Sequence, residues 1–119
     1  GAFEISKVIK SYEDGDDIEW IRIHNLPDHA FFSHAQHVGV GNIECQKCHG
    51  KVEEMNRVEL VTDLSMGWCV NCHRETKIDL HSNEFYNNYE ELAKKMQSGE
   101  LEHVSVESIG GIECMKCHY

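Results

Sequence analysis

One five-residue pattern, Cys-x-x-Cys-His, constrains this chain more than any other feature, and it occurs three times. The copies are Cys45-Gln46-Lys47-Cys48-His49, Cys69-Val70-Asn71-Cys72-His73 and Cys114-Met115-Lys116-Cys117-His118, and they use all six cysteines of the sequence. With nine histidines among 119 residues, a given pair would be followed by His with a chance of roughly 9/119, so three matches in three are on the order of one in two thousand. The pattern is the attachment signature of c-type haem. Each thiol adds across one vinyl group to form a thioether, the two-residue spacer sets the sulfurs at the separation of the two vinyls, and the following histidine lies under the iron. Cys45, Cys48, Cys69, Cys72, Cys114 and Cys117 are thus the expected thioether positions of three haem c groups, with His49, His73 and His118 as proximal iron ligands.

Competing chemistries fit less well. Two Cys-x-x-Cys pairs would complete a four-cysteine zinc site, but a third pair is then left over, and zinc gives no reason for a histidine after each pair. Three disulfides that each span two residues would be three redox-active elements in one small chain. A thioredoxin-like motif needs an α/β alternation around the pair, and none surrounds these.

A length of 119 residues fits one domain, 1–119, and three haems in it amount to one per 40 residues or so. With a hydrophobic fraction of 40% and a mean hydropathy of −0.50, the side chains are a poor source of core. Much of the apolar interior is therefore expected to come from the haems. The formal charge is −10, from 11 basic and 21 acidic side chains, which argues against nucleic acid and suits a basic redox partner or a neighbouring subunit. No stretch has the length of a transmembrane helix, so no direct membrane insertion is expected of this region. Gly1-Ala2 without an initiator Met reads as a processed start, and the region is expected to belong to a longer chain. Haem is attached outside the cytoplasm, which implies a periplasmic location or the outer face of the cytoplasmic membrane.

Along the chain, residues 1–18 read as a lead-in arm or short strand with an acidic turn at Glu13–Asp17. Glu19 to Ile23 reads as a short strand, the segment around Pro27 as a turn, and Phe31 to His37 as a helical turn with His34 and His37 at i, i+3. Residues 51–64 read as a strand or irregular crossing. The clearest helix spans 84–98, with Phe85, Tyr89, Leu92 and Met96 on one face, Asn83 as its cap and Gly99 at its end. The triplets are separated by 19 and then 40 residues, which excludes a solenoid repeat. After the proximal ligands are assigned, His24, His29, His34, His37, His81 and His103 remain as candidates for three distal positions. An electron-transfer haem fills both axial sites, usually with His/His or His/Met.

The segment Phe32-Ser33-His34-Ala35-Gln36-His37-Val38 followed by Cys45-Gln46-Lys47-Cys48-His49 resembles the class III multihaem cytochromes c. The wider string Trp20 to His29, Phe31 to Val38, Cys45 to Gly50, Met55 and Leu64 to Arg74 is similar to the C-terminal trihaem part of the pentahaem cytochrome subunit of alternative complex III, a quinol:cytochrome c oxidoreductase. The resemblance implies a small α plus irregular multihaem fold of trihaem type with few short strands. It also implies His34 as distal ligand of the first haem and His37 of the second. A histidine that ligates the third haem in the small trihaem cytochromes is replaced here by Leu64-Ser65-Met66-Gly67. Met66 is the expected third distal ligand, with His24 as its rival; His29, His81 and His103 are expected to face solvent or propionates. Trp68 and Phe32 are expected against porphyrin faces. The implied function is electron transfer within a respiratory quinol-oxidising complex, with its other subunits, a cytochrome c or an oxidase as partners. A free periplasmic carrier, or a catalytic multihaem reductase or peroxidase with one open iron, is the alternative.

Overall fold

The computed structural model describes all 119 residues, and its regular structure is helical. Four α-helices, α1 (Ala2–Asp14), α2 (Cys45–His49), α3 (Met66–Glu75) and α4 (Glu90–Gln97), alternate with a π-helical turn at Ala35–Val40 and 3₁₀ turns at Val52–Glu54, Glu84–Tyr86, Glu107–Ile109 and Cys114–Lys116. The only β pairing is an isolated antiparallel bridge between Lys77 and Ser105. The short strand expected at 19–23 is absent, and residues 16–33 run as an extended, turn-interrupted segment.

The arm expected at 1–18 is instead mostly the helix α1. Ile5, Val8, Ile9 and Tyr12 recur at i, i+3, i+4 and i+7, Lys7 pairs with Glu4 at 3.0 Å, Lys10 pairs with Asp14, and Gly15 ends the helix at φ 72°. All four apolar residues are at least half exposed. The helix expected at 84–98 is broken. Asn83 accepts a hydrogen bond from Phe85 N–H and caps only the 3₁₀ turn, and α4 starts again at Glu90 after Asn87 and Asn88, both weak helix formers.

Only four residues are buried: Ile78, Leu80, Val104 and Ser105. They lie in the 40-residue stretch between the second and third triplets, where Tyr86, Tyr89, Leu92, Ala93, Met96, Leu101, Val106 and Ile109 pack around the three apolar members. Backbone bonds from Ile78 N–H to Val104 O and from Val106 N–H to Thr76 O tie the two edges of this unit. The rest of the chain spreads around it. The radius of gyration is 19.0 Å, with extents of 60 × 29 × 25 Å, whereas a close-packed chain of this length has a radius of about 13–14 Å.

Candidate functional site

The attachment triplets are helical, which gives their chemistry a common face. Residues at i, i+3 and i+4 of a helix project to the same side, so Cys45, Cys48 and His49 of α2, and Cys69, Cys72 and His73 of α3, each present two sulfurs and an imidazole together. The third triplet makes a single 3₁₀ turn closed by a 2.9 Å bond from His118 N–H to Cys114 O, which gathers its groups in the same way. The six cysteines are free thiols.

Helix α3 is where the triplets meet. Burial, then the negative charge available on Cys72, pushes the Cys48 thiol up. Burial, then Cys117, Cys72 and Cys48, pushes the Cys69 thiol up. Thiols from all three triplets therefore lie within electrostatic reach of Cys69. Ser65 starts α3 by accepting a 3.2 Å bond from Trp68 N–H, and Asp63 accepts one from Ser65 N–H. Met66 is the first residue of the helix, one turn before Cys69 on the same face, and 72% exposed.

The histidines form pairs across the triplets. The His34 and His49 ring centroids are 6.3 Å apart with planes 7° from parallel, and those of His37 and His73 are 5.9 Å apart at 32°. Two metal–imidazole bonds of about 2.0–2.1 Å placed end to end, with a ring radius of about 1.1 Å at each side, put centroids roughly 6.3 Å apart. Both pairs thus have the separation of imidazoles on opposite faces of one metal ion. His34 and His37 stand at the start of the π-helical turn, which is closed by an i→i+5 bond from Gly41 N–H to Gln36 O, and each ring faces a different triplet.

Hydrogen bonds fix which nitrogen is free. Nδ1 of His37 lies 2.9 Å from Ser33 O, Nδ1 of His73 lies 2.6 Å from Gly111 O, and Nδ1 of His118 lies 2.8 Å from His29 O. A carbonyl only accepts, so in each ring Nδ1 carries the proton and Nε2 is left with its lone pair for a metal. Burial, then the neighbouring His24 and His34, lowers the His49 pKa and favours the neutral, ligating form. The donor sets of the first two triplets fit haem: each would offer two imidazoles to an iron whose other four bonds come from the porphyrin. No three His, Cys, Asp or Glu side chains are placed to hold a metal ion by themselves.

The third triplet differs from the others. The rings of His29 and His118 are 5.6 Å apart and 24° from parallel. The carbonyl of His29 is bonded to His118 Nδ1, however, and Nε2 lies across the ring. The side chain of His29 is too short to round that ring and meet an iron on its far side. His29 therefore flanks His118 and does not oppose it. His24, the expected rival for the third iron, lies against the first triplet, with its Nε2 3.1 Å from His49 Nδ1. His81 and His103 are exposed in the 40-residue stretch.

The aromatic side chains take these places in the structure. Phe32 packs between His34 and His37, with centroids at 4.9 and 4.3 Å. Trp68 is half-buried on α3. Phe31 stacks on Tyr119 at 4.4 Å, and its N–H donates to Cys117 O at 2.8 Å, so residues 29–31 clamp the last triplet. The orienting carbonyls of Ser33, Gly111 and His29 escaped the sequence reading because a main-chain acceptor has no residue signature. In comparison with known proteins, no family model matches the chain and no curated protein is similar to it at a significant level.

Proposed function

We propose that this chain binds three haem c groups and carries electrons between them. The observation that supports it most is the pairing of His34 with His49 and of His37 with His73 at metal-bridging separations. Each of these triplets already holds its proximal ring by a bond at Nδ1. Bound haem supplies reversible one-electron chemistry between ferric and ferrous iron. The chain's own residues would hold the groups in place: His34 with His49 and His37 with His73 would keep the first two irons' ligands fixed as their charge changed, and the triplets gathered at α3 would keep the groups close together. Three haems also account for a chain whose side chains bury only four residues and whose radius is well above that of a packed domain.

For the third haem the proposed pair is His118 and Met66. The ring of His24 is held by its bond to His49 and the side chain of His29 cannot reach across the His118 ring, whereas Met66 stands exposed on the face of α3 beside Cys69, whose thiol lies within electrostatic reach of Cys117. The acidic surface and the sequence resemblance to the alternative complex III cytochrome support a place in a respiratory complex on the outer side of the cytoplasmic membrane, where a basic partner accepts or donates the electrons. No helix is long and apolar enough to cross a membrane.

Pyridine haemochrome quantitation and intact mass test the reading. Three haems per chain are expected, and two or fewer would overturn it. Carbon monoxide separates electron transfer from catalysis at an open iron: the reduced protein should bind none, whereas stoichiometric binding at one haem would favour a reductase or peroxidase.

A further inference from the structure

We infer that His24 is the positioning residue of the first haem: by accepting a hydrogen bond from His49 Nδ1 it fixes that ligand's tautomer and makes it the most electron-donating of the three proximal imidazoles. This rests on the haem reading above. For His49 to offer Nε2 to an iron its proton must sit on Nδ1, and the atom 3.1 Å from Nδ1 is His24 Nε2. His24 must then present a lone pair there and carry its own proton on Nδ1. The rings meet at 85° with centroids 4.4 Å apart, an edge contact rather than the near-parallel arrangement of the His34–His49 pair. His24 and His34 thus approach His49 differently, and only His34 has the placement of an opposed axial ligand.

The contrast with the other triplets gives the bond its consequence. His73 and His118 donate from Nδ1 to main-chain carbonyls, of Gly111 and His29. An imidazole nitrogen is a stronger base than an amide oxygen, so it draws the Nδ1 proton further and leaves more negative charge on the ligating ring. A more basic axial ligand stabilises ferric iron over ferrous iron. The arrangement is also replaceable by mutation. No substitution removes a main-chain acceptor, whereas the acceptor of His49 is a side chain, so the first haem's potential is set by a single replaceable residue.

The holoprotein with His24→Ala and with His24→Gln tests this, since a glutamine amide oxygen reaches about as far as Nε2 and accepts less strongly. In His24→Ala, all three haems should remain bound and low-spin without binding carbon monoxide, and one midpoint potential should move upward while two stay in place. The moving haem should be the one attached at Cys45 and Cys48 in the paramagnetic proton spectrum, and the protected Nδ1 proton of His49 should exchange faster. His24→Gln should return that potential part of the way. A high-spin or carbon monoxide-binding haem in His24→Ala would make His24 an axial ligand and overturn the inference while leaving the electron-transfer reading intact. Three unchanged potentials in either variant would overturn it as well. Fewer than three haems in the parent protein would instead be a failure of the underlying reading. If His24→Ala does not fold, His24→Gln decides alone: a shift confined to the first haem supports the role, and no shift removes it.

Discussion

At the scale of single residues, the proposed proximal ligands and thioether cysteines are legible from spacing, because the chemistry of haem attachment dictates Cys-x-x-Cys-His. The distal ligands are less so. His34 and His37 rest on resemblance, and they stand at the start of a π-helical turn that ordinary helical periodicity would not suggest. Replacing either by Ala should turn one low-spin haem into a high-spin or solvent-ligated one and leave two unchanged in the electron paramagnetic spectrum; three unaltered signals would remove that assignment. The roles of His24 and His29 were beyond the sequence, since a histidine in a turn gives no sign of whether its ring or its carbonyl will be used. If Met66 completes the third haem, the ferric protein should show the weak near-red charge-transfer band of iron–thioether ligation, and Met66→Leu should abolish it. His29→Ala should retain the band and all three low-spin haems, because the orienting group of His29 is its main-chain oxygen. The third haem should then have the highest potential of the three, since thioether ligation favours ferrous iron.

At the scale of elements, the apolar residues of α1 follow the helical period, while the acidic Glu13–Asp17 turn beside them has the composition of a loop, so the helix is legible only in the periodicity. The opposite case occurs at 84–98, where a good apolar face ran across Asn87 and Asn88, and local propensity prevailed over pattern. The stretch between the second and third triplets is the best-packed element, and it has a function at the site: its exit loop supplies the Gly111 carbonyl to His73, and Glu107 reaches Arg74 on α3 at 3.3 Å. A Cβ at Gly111 would collide with Val106 Cγ1 and sit 2.7 Å from Val106 O, so the loop must move to accept one. Gly111→Ala should destabilise the holoprotein by about 1–3 kcal/mol and raise the potential of the second haem by loosening the bond to His73, as read by denaturation and by redox titration. At the turn Leu80–Ser82, Asp79 accepts from Ser82 Oγ and from the N–H groups of Ser82 and His81, and these bonds hold its carboxyl down at about 2 against an ordinary 3.8. The charged form is favoured in the folded state, so this contribution to stability is complete above pH 3.8 or so and is lost as pH falls toward 2. Asp79→Asn should lower stability at neutral pH and flatten the acid limb of a denaturation series between those values; an unchanged limb would count against the turn's role.

At the scale of the whole molecule, composition predicts a poor side-chain core, and only four residues are buried in a chain with a radius of gyration of 19.0 Å. The location of the one true core, in the longest gap between triplets, was not foretold, because the apolar residues that build it come from the segments before and after α4. A net charge of −10 should make electron transfer to a basic cytochrome c fall steeply with ionic strength, whereas transfer to an anionic mediator should rise; stopped-flow rates at rising salt check the sign. The clamp of residues 29–31 on residues 117–119 has a further consequence, in the order of assembly. The bond from Phe31 N–H to Cys117 O joins positions 86 apart in the chain, and closing so long a loop opposes folding by roughly 4 kcal/mol. The pairs His34–His49 and His37–His73 close much shorter loops and can form while the remainder of the chain is still emerging. The surroundings of the third triplet cannot form until the chain has emerged as far as His118, so the three sites should mature from first to last along the chain, and the third should be the one lost when maturation is interrupted.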